Sequence, residues 1–255
     1  MQLKQSSALV FGGAGGFGEA TVRRLVAAGA HVVIADLAED KGKTLEAELG
    51  DGVRFVSTDV TSEDSVKAAV DAAVEFAPLR SCVVVHGGPA AGRRMLNRAG
   101  ETYALETFRR TVDIFLTGTF NVMSQAAAAM AKNEPGESGQ RGVIVTTASI
   151  AGFEGQVGQT DYSAAKGGVI SLTLTAARDL APVGVRVMSI APGTFFTPAF
   201  RMTEEDAQAK WGPTVPNPKR MGHVDEYARL AQDIIENDYL NGTVIRIDGA
   251  LRFNV

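Results

Sequence analysis

In the stretch "TDYSAAKGG" a tyrosine, Tyr162, stands four residues before a lysine, Lys166, and Ser149 lies 13 residues upstream of the tyrosine. Residues i and i+4 of a helix are neighbours, with Cβ atoms ~5–6 Å apart. An unperturbed tyrosine ionises near pH ~10, and half-ionising it at neutrality takes about three units, worth about 4 kcal/mol. One cation ~4 Å away, at an effective dielectric of about 20, supplies that much. The spacing therefore predicts a phenol lowered by its ammonium neighbour and able to exchange a proton with an alcohol or ketone oxygen. The Ser149 hydroxyl would orient that oxygen. Standing alone, a Tyr/Lys pair one turn apart is more often plain helix surface, so the elements that place it must decide.

Those elements alternate. "SALVFGG", "HVVIAD", "VRFVSTDV", "SCVVVHGG", "GVIVTTAS", "VRVMSIAPG" and "TVIRIDGA" are short apolar runs separated by helical patterns. Continuous rather than alternating apolar runs are expected where helices cover both faces of a parallel sheet. The pattern predicts an α/β, doubly wound Rossmann-type parallel sheet of about seven strands, with residues 1–255 as one domain. "TSED" reads as an N-cap with an acidic first turn, and "LETFRRTVDIFLTGTFNVMSQAAAAMAKN" as one long helix. Two segments, about 89–102 and 194–222, fit neither strand nor helix and read as substrate loops. Ser149 ends the fifth strand, at the carboxyl edge where such sheets hold ligands.

"VFGGAGGFGEA" joins the first strand to the first helix. It satisfies G-x-G-x-x-G through Gly13, Gly15 and Gly18, and equally G-x-x-x-G-x-G through Gly12, Gly16 and Gly18. Either way, missing β-carbons let backbone N–H groups and a helix N-terminus approach a pyrophosphate. Asp36, 18 residues beyond Gly18, ends the second strand, where a carboxylate hydrogen-bonds a ribose 2′-OH. It would repel a 2′-phosphate, and no Arg or Lys follows before Lys41, so the cofactor expected is NAD rather than NADP. Asp59 sits where an adenine contact is usual, with a turn role as the alternative.

Composition removes other classes. A net charge of -4 gives no electrostatic reason to expect nucleic acid. No apolar run approaches the ~20 residues of a membrane span, and the N-terminal residues lack the pattern of a signal peptide, so a soluble cytoplasmic protein is expected. The single cysteine, Cys82, reads as a buried small hydrophobe. No metal-ligating cluster is expected.

The glycine loop, Asp36, Asp59, Ser149, Tyr162, Lys166 and "APG" together resemble the short-chain dehydrogenase/reductases, nearly end to end. Within that family, "NEPGESGQRGVIVTTASIAGFEGQVGQTDYSAAKGG", "ARDLAPVGVRVMSIAPGTFFTP" and "EYARLAQDIIENDYLNGTVIRIDGALR" are most similar to the type 2 3-hydroxyacyl-CoA (type 10 17β-hydroxysteroid) dehydrogenases. The resemblance implies hydride transfer between NAD and the 3-hydroxy/3-oxo group of an acyl-CoA, a step of fatty acid metabolism, by a homotetramer. A hydroxysteroid or other secondary-alcohol dehydrogenase is one alternative, and an NAD-binding scaffold with weak turnover is another. By the same carry-over Tyr162 is the acid/base, Ser149 orients the substrate oxygen, and Lys166 holds the nicotinamide ribose. Gly12, Gly16, Phe17, Gly18, Asp36, Asp59, Val60, Gly87, Pro192 and Thr197 would join Tyr162 and Lys166 in binding the cofactor, with Val60 at the adenine and Thr197 at the carboxamide.

Three departures stand out. The family's glycine-loop Thr is Phe11, its Asn-x-Ala-Gly has Val85 and Gly87 at the Asn and Ala positions, and its catalytic Asn aligns with Phe115. Phe11 and Val85 are expected to replace a polar pair by an apolar contact, which is close to neutral when both partners change together. Phe115 cannot hold the water that carries protons to the lysine, and Asn121 lies on another helix face. His86 reads as a packed histidine near the cleft, or as a donor to a phosphate or ribose. Arg93, Arg94 and Arg98 could attract coenzyme A phosphates, or be a solvated loop. Phe195, Phe196 and Trp211 could wall a substrate pocket, or pack the core or a subunit contact.

Overall fold

The computed structural model describes residues 3–87, 92–200 and 202–253. Seven parallel strands form one sheet in the order β3-β2-β1-β4-β5-β6-β7. They are β1 (Ser7–Phe11), β2 (His31–Asp36), β3 (Val53–Ser57), β4 (Leu79–Val84), β5 (Gly142–Thr147), β6 (Val185–Pro192) and β7 (Val244–Ile247). The order reverses between β1 and β4, so their carboxyl ends open a crevice.

The helices are α1 (Gly16–Ala27), α2 (Glu39–Leu49), α3 (Glu63–Phe76), α4 (Leu105–Val112), α5 (Gly118–Met130), α6 (Thr160–Leu180), α7 (Glu204–Trp211) and α8 (Val224–Glu236). Side chains alternate across each strand, so the apolar runs feed two separate cores. Ala8, Val10, Val83 and Val145 face α1 and α8 through Val22, Leu25, Tyr227 and Ile234. Leu9, Phe11, Cys82, Val84 and Ile144 face α3 and α5 through Val66, Val70, Val122 and Met130. The "TSED" expectation holds, since the Ser62 hydroxyl accepts the Ser65 N–H at 3.3 Å to start α3.

Two expectations change. The long helix is two helices, α4 and α5, joined by a π-helical turn over Asp113–Thr117. Such a turn is invisible to periodicity, because its dihedrals stay helical while its hydrogen bonds shift by one residue. The segment 194–222 is not all loop, since it contains α7 and two short 3₁₀ turns. Residues 88–91, at the start of the other expected loop, lie outside the described residues. Among the described residues no helix is long and apolar enough to cross a membrane, and no group of three His, Cys, Asp or Glu side chains could hold a metal ion.

Candidate active site

The glycine loop resolves to one of its two readings. Gly12 and Gly16 adopt left-handed backbone, φ +76° and +49°, and a β-carbon on Gly18 would fall 1.9 Å from the Gly12 carbonyl oxygen. Gly15 has extended backbone and open space where a β-carbon would sit. The backbone thus requires glycine at 12, 16 and 18, and also at 13, where a β-carbon would fall 2.8 Å from the Val10 carbonyl oxygen. The first N–H groups of α1, which have no intrahelical carbonyl to reach, begin at Gly16 beside the crevice.

That crevice is a cleft of about 1010 Å³ running across the carboxyl ends of the strands. Gly12, Gly16, Phe17 and Asp36 line it, with Asp59, Val60 and Gly87. Tyr162, Lys166 and Thr197 line the same cleft, Thr197 packing beside Gly16. Asp36 is held by two backbone donors, Ala14 N to Oδ2 and Ala38 N to Oδ1, each at 2.9 Å. Its carboxylate is thus fixed to the glycine loop it would serve. Asp59 fills the turn role, its Oδ1 accepting from Thr61 N and Thr61 Oγ1 at 2.9 and 2.7 Å. Gly18, Ser149 and Pro192 are not part of the cleft lining. Pro192 is buried at the end of β6, paired with Ile247.

β5 and α6 bring the Ser, Tyr and Lys together. Ser149 begins a 3₁₀ turn, Ile150–Gly152, its hydroxyl oxygen accepting the Ala151 N–H at 3.1 Å. Its hydroxyl also lies close enough to the Tyr162 phenol to favour the phenolate. Lys166 is 4% exposed and donates from Nζ to the Thr147 carbonyl at 2.6 Å. Its ammonium nitrogen stands 5.8 Å from the centroid of the Tyr162 ring.

The expected direction of the tyrosine shift is corrected. Burial raises the Tyr162 phenol above its ordinary value, and the Ser149 hydroxyl offsets only part of that. Lys166 is pushed down to about 7 by burial. The geometry gives the reason. The Thr147 carbonyl favours the charged lysine, but both groups are buried against the Phe115 ring, and burial disfavours the ammonium and the phenolate alike.

Phe115 is an apolar wall inside the π turn, 4% exposed. Its ring meets the Tyr162 ring edge-on, centroids 5.3 Å apart at 89°, and Lys166 Nζ lies 4.9 Å from its centroid. Asn121 faces elsewhere as expected, donating to the Val60 carbonyl at 2.9 Å. The Phe11–Val85 expectation is corrected. The two meet only through the backbone, Val85 N to Phe11 O at 2.9 Å, and their side chains join cores on opposite faces of the sheet. His86 is packed, its Nε2 donating to the Ile114 carbonyl at 2.8 Å, and burial first, then Lys166, push it down to about 4. Phe195 packs on Phe17 at 5.1 Å as core, while Phe196, Phe200 and Trp211 cluster within the second loop. Cys82 is buried, and burial raises its thiol.

Sequence reasoning missed a buried polar chain behind Lys166. The Thr147 hydroxyl donates to the Val84 carbonyl at 2.7 Å and meets the Tyr227 hydroxyl at 2.6 Å. It ties β4, β5 and α8 at the residue whose carbonyl holds the lysine. "TTAS" hints at Thr147, but nothing local marks Tyr227.

Residues 6–208 match the family model described as short chain dehydrogenase. The chain belongs to that family. It is a short-chain dehydrogenase, an oxidoreductase of the nicotinamide-dinucleotide-dependent kind. The 3-hydroxyacyl-CoA dehydrogenase type-2 of Bos taurus is 48% identical over 246 residues, 96% of this chain and 94% of that one. A crystal structure of 3-hydroxyacyl-CoA dehydrogenase type-2 from Mycobacterium avium superposes with a TM-score of 0.97 at 54% identity, covering 99% of this chain and 98% of its own. The 3-ketoacyl-(acyl-carrier-protein) reductase of Brucella melitensis, solved with NADH, has a TM-score of 0.84 at 26% identity, covering 98% of this chain and 100% of its own. This short-chain dehydrogenase therefore shares its fold with a neighbour whose structure holds a reduced dinucleotide.

Proposed function

We propose that this protein interconverts 3-hydroxyacyl-CoA and 3-oxoacyl-CoA with NAD. One observation carries the reading. The Tyr162 phenol, with the Ser149 hydroxyl near enough to favour its ionised form, and the Lys166 amine line the same cleft as the glycine loop and Asp36. The cradle fits a dinucleotide, because the backbone at Gly12 and Gly16 is left-handed and a Gly18 side chain would strike the loop. NAD, when bound, accepts the hydride from the carbinol carbon.

The residues do the rest. Tyr162 takes the hydroxyl proton in oxidation as its phenolate and returns it in reduction as its phenol, with Ser149 holding the same substrate oxygen. Lys166, whose proton affinity burial lowers, would regain charge if the ribose hydroxyls of a bound dinucleotide accepted its N–H groups. Phe115 keeps water from the phenol and the lysine, so proton exchange with solvent is slow. Asp36 favours NAD, since its carboxylate would repel a 2′-phosphate; Lys41 lines the same cleft.

An acyl-CoA is supported by cations near the mouth. Arg109 and Arg110 line the cleft, and Arg93, Arg94 and Arg98 stand exposed on the preceding segment. A homotetramer belongs to the same proposal: Phe120 on α5 and Leu174 on α6, 57% and 46% exposed, leave apolar surface for another copy to cover. The test compares kcat/KM for a 3-hydroxyacyl-CoA with that for a hydroxysteroid, NAD being saturating. A higher value for the thioester supports the reading, and a steroid preference overturns it.

A further inference from the structure

Residues 95–103, between β4 and α4, form a hairpin. Tyr103 N donates to Met95 O at 2.9 Å and Asn97 N to Glu101 O at 3.0 Å. The Asn97 side chain builds the bend, its Oδ1 accepting from Ala99 N and Glu101 N. Residues 92–102 are exposed throughout, with Met95 and Leu96 at 66% and 56%. A two-stranded hairpin with no buried face has little stability of its own, so its attachments must hold it in place.

Two attachments are present, and both lie on the segment that carries the tyrosine. The Tyr103 hydroxyl donates to Asp161 Oδ2 at 2.9 Å, and the Thr111 hydroxyl of α4 donates to the same oxygen at 2.7 Å. Asp161 is 1% exposed and immediately precedes Tyr162. Burial works against its charge, but Thr111, Tyr103 and the main-chain N–H groups of Tyr162 and Asp161 together hold the carboxyl below its usual range. At the second attachment Gly158, φ +85°, packs on the backbone of Gly92 and Arg93, where a β-carbon would find atoms at 3.4–3.6 Å. The backbone there is left-handed, so glycine lets the two segments touch.

We infer that Asp161 and Tyr103 are specificity-determining positioning residues, a latch that sets the arginine-bearing hairpin at a fixed distance from Tyr162. The inference rests on the acyl-CoA reading. Arg93, beside the Gly158 contact, and Arg94 engage the phosphates of the thioester's carrier, while its 3-hydroxyl reaches Tyr162. Among the described residues neither arginine has an ion-pair partner. A bond from a hydroxyl to a buried carboxylate is charge-assisted, and losing the donor leaves that carboxylate underpaired.

The test is Tyr103→Phe, which keeps the ring and removes the donor. Two thioesters of one 3-hydroxyacyl group are compared, on coenzyme A and on N-acetylcysteamine, which lacks phosphates. KM for the CoA thioester rises about tenfold, while its kcat, the KM for NAD and both constants for the N-acetylcysteamine thioester stay unchanged. Hydrogen exchange at the Asn97 and Tyr103 amides accelerates. An equal effect on both thioesters would overturn the specificity role. Unchanged exchange at those two amides would overturn the latch whatever the substrate. A native enzyme that turned over neither thioester would instead overturn the substrate reading, with the exchange measurement still deciding the latch.

Discussion

A β-carbon on Gly87 would lie 3.2 Å from Cε1 of Phe115. The ring thus crowds the position where the resemblance puts an alanine in the family, which would couple positions 87 and 115. Gly87→Ala should destabilise the protein by about 1–3 kcal/mol through overpacking. In the Phe115→Asn background the cost should largely vanish. Denaturant unfolding of the two single variants and the double variant gives the coupling, and additive effects would contradict it.

Phe115→Asn should also reopen a proton path to Lys166. If that exchange limits turnover, the single-turnover rate rises, within the ~10²–10⁴-fold range of general acid–base effects. An unchanged rate would show that the apolar wall is no obstacle.

Asp36, in the cleft lining, is fixed by Ala14 and Ala38. NADP should bind at least about tenfold more weakly than NAD, a difference of about 1.4 kcal/mol. Asp36→Ala should narrow that ratio by weakening NAD and relieving NADP. Fluorescence titration of the reduced forms measures both, and a native preference for NADP would refute the assignment.

Lys166 is pushed down from 10.5 to about 7 by burial. Between those values the unfolded chain binds the proton that the folded chain has lost. Stability should therefore rise with pH through that window, and Lys166→Met should flatten the rise. Binding of NADH near pH 8 should restore the charge and take up a proton, which calorimetry in buffers of different ionisation enthalpy detects. Proton release on binding would contradict the arrangement.

The parts of this molecule legible in its sequence are those set by local pattern. Continuous apolar runs mark buried parallel strands, and the spacing of Tyr162 and Lys166 marks side chains that line one cleft with Gly12 and Gly16, because helix and turn geometry fix what they face. What could not be read is tertiary. Tyr227 meets Thr147 from 80 positions away, and Tyr103 meets Asp161 from 58. The sign of the Tyr162 shift is not legible either, because spacing shows the neighbouring charge but not the burial of both groups. The Phe11–Val85 pairing failed on register: Phe11 lies opposite Val84, so the next residue points to the other face.

The most direct measurement mixes the protein with NAD and a 3-hydroxyacyl-CoA and follows NADH absorbance, for the native chain and for Tyr162→Phe. The account predicts NADH from the native protein and a rate about 10²–10⁴-fold lower from Tyr162→Phe, with dinucleotide affinity retained. A variant that turns over at the native rate, or a native protein that binds NAD and forms no NADH, would contradict it.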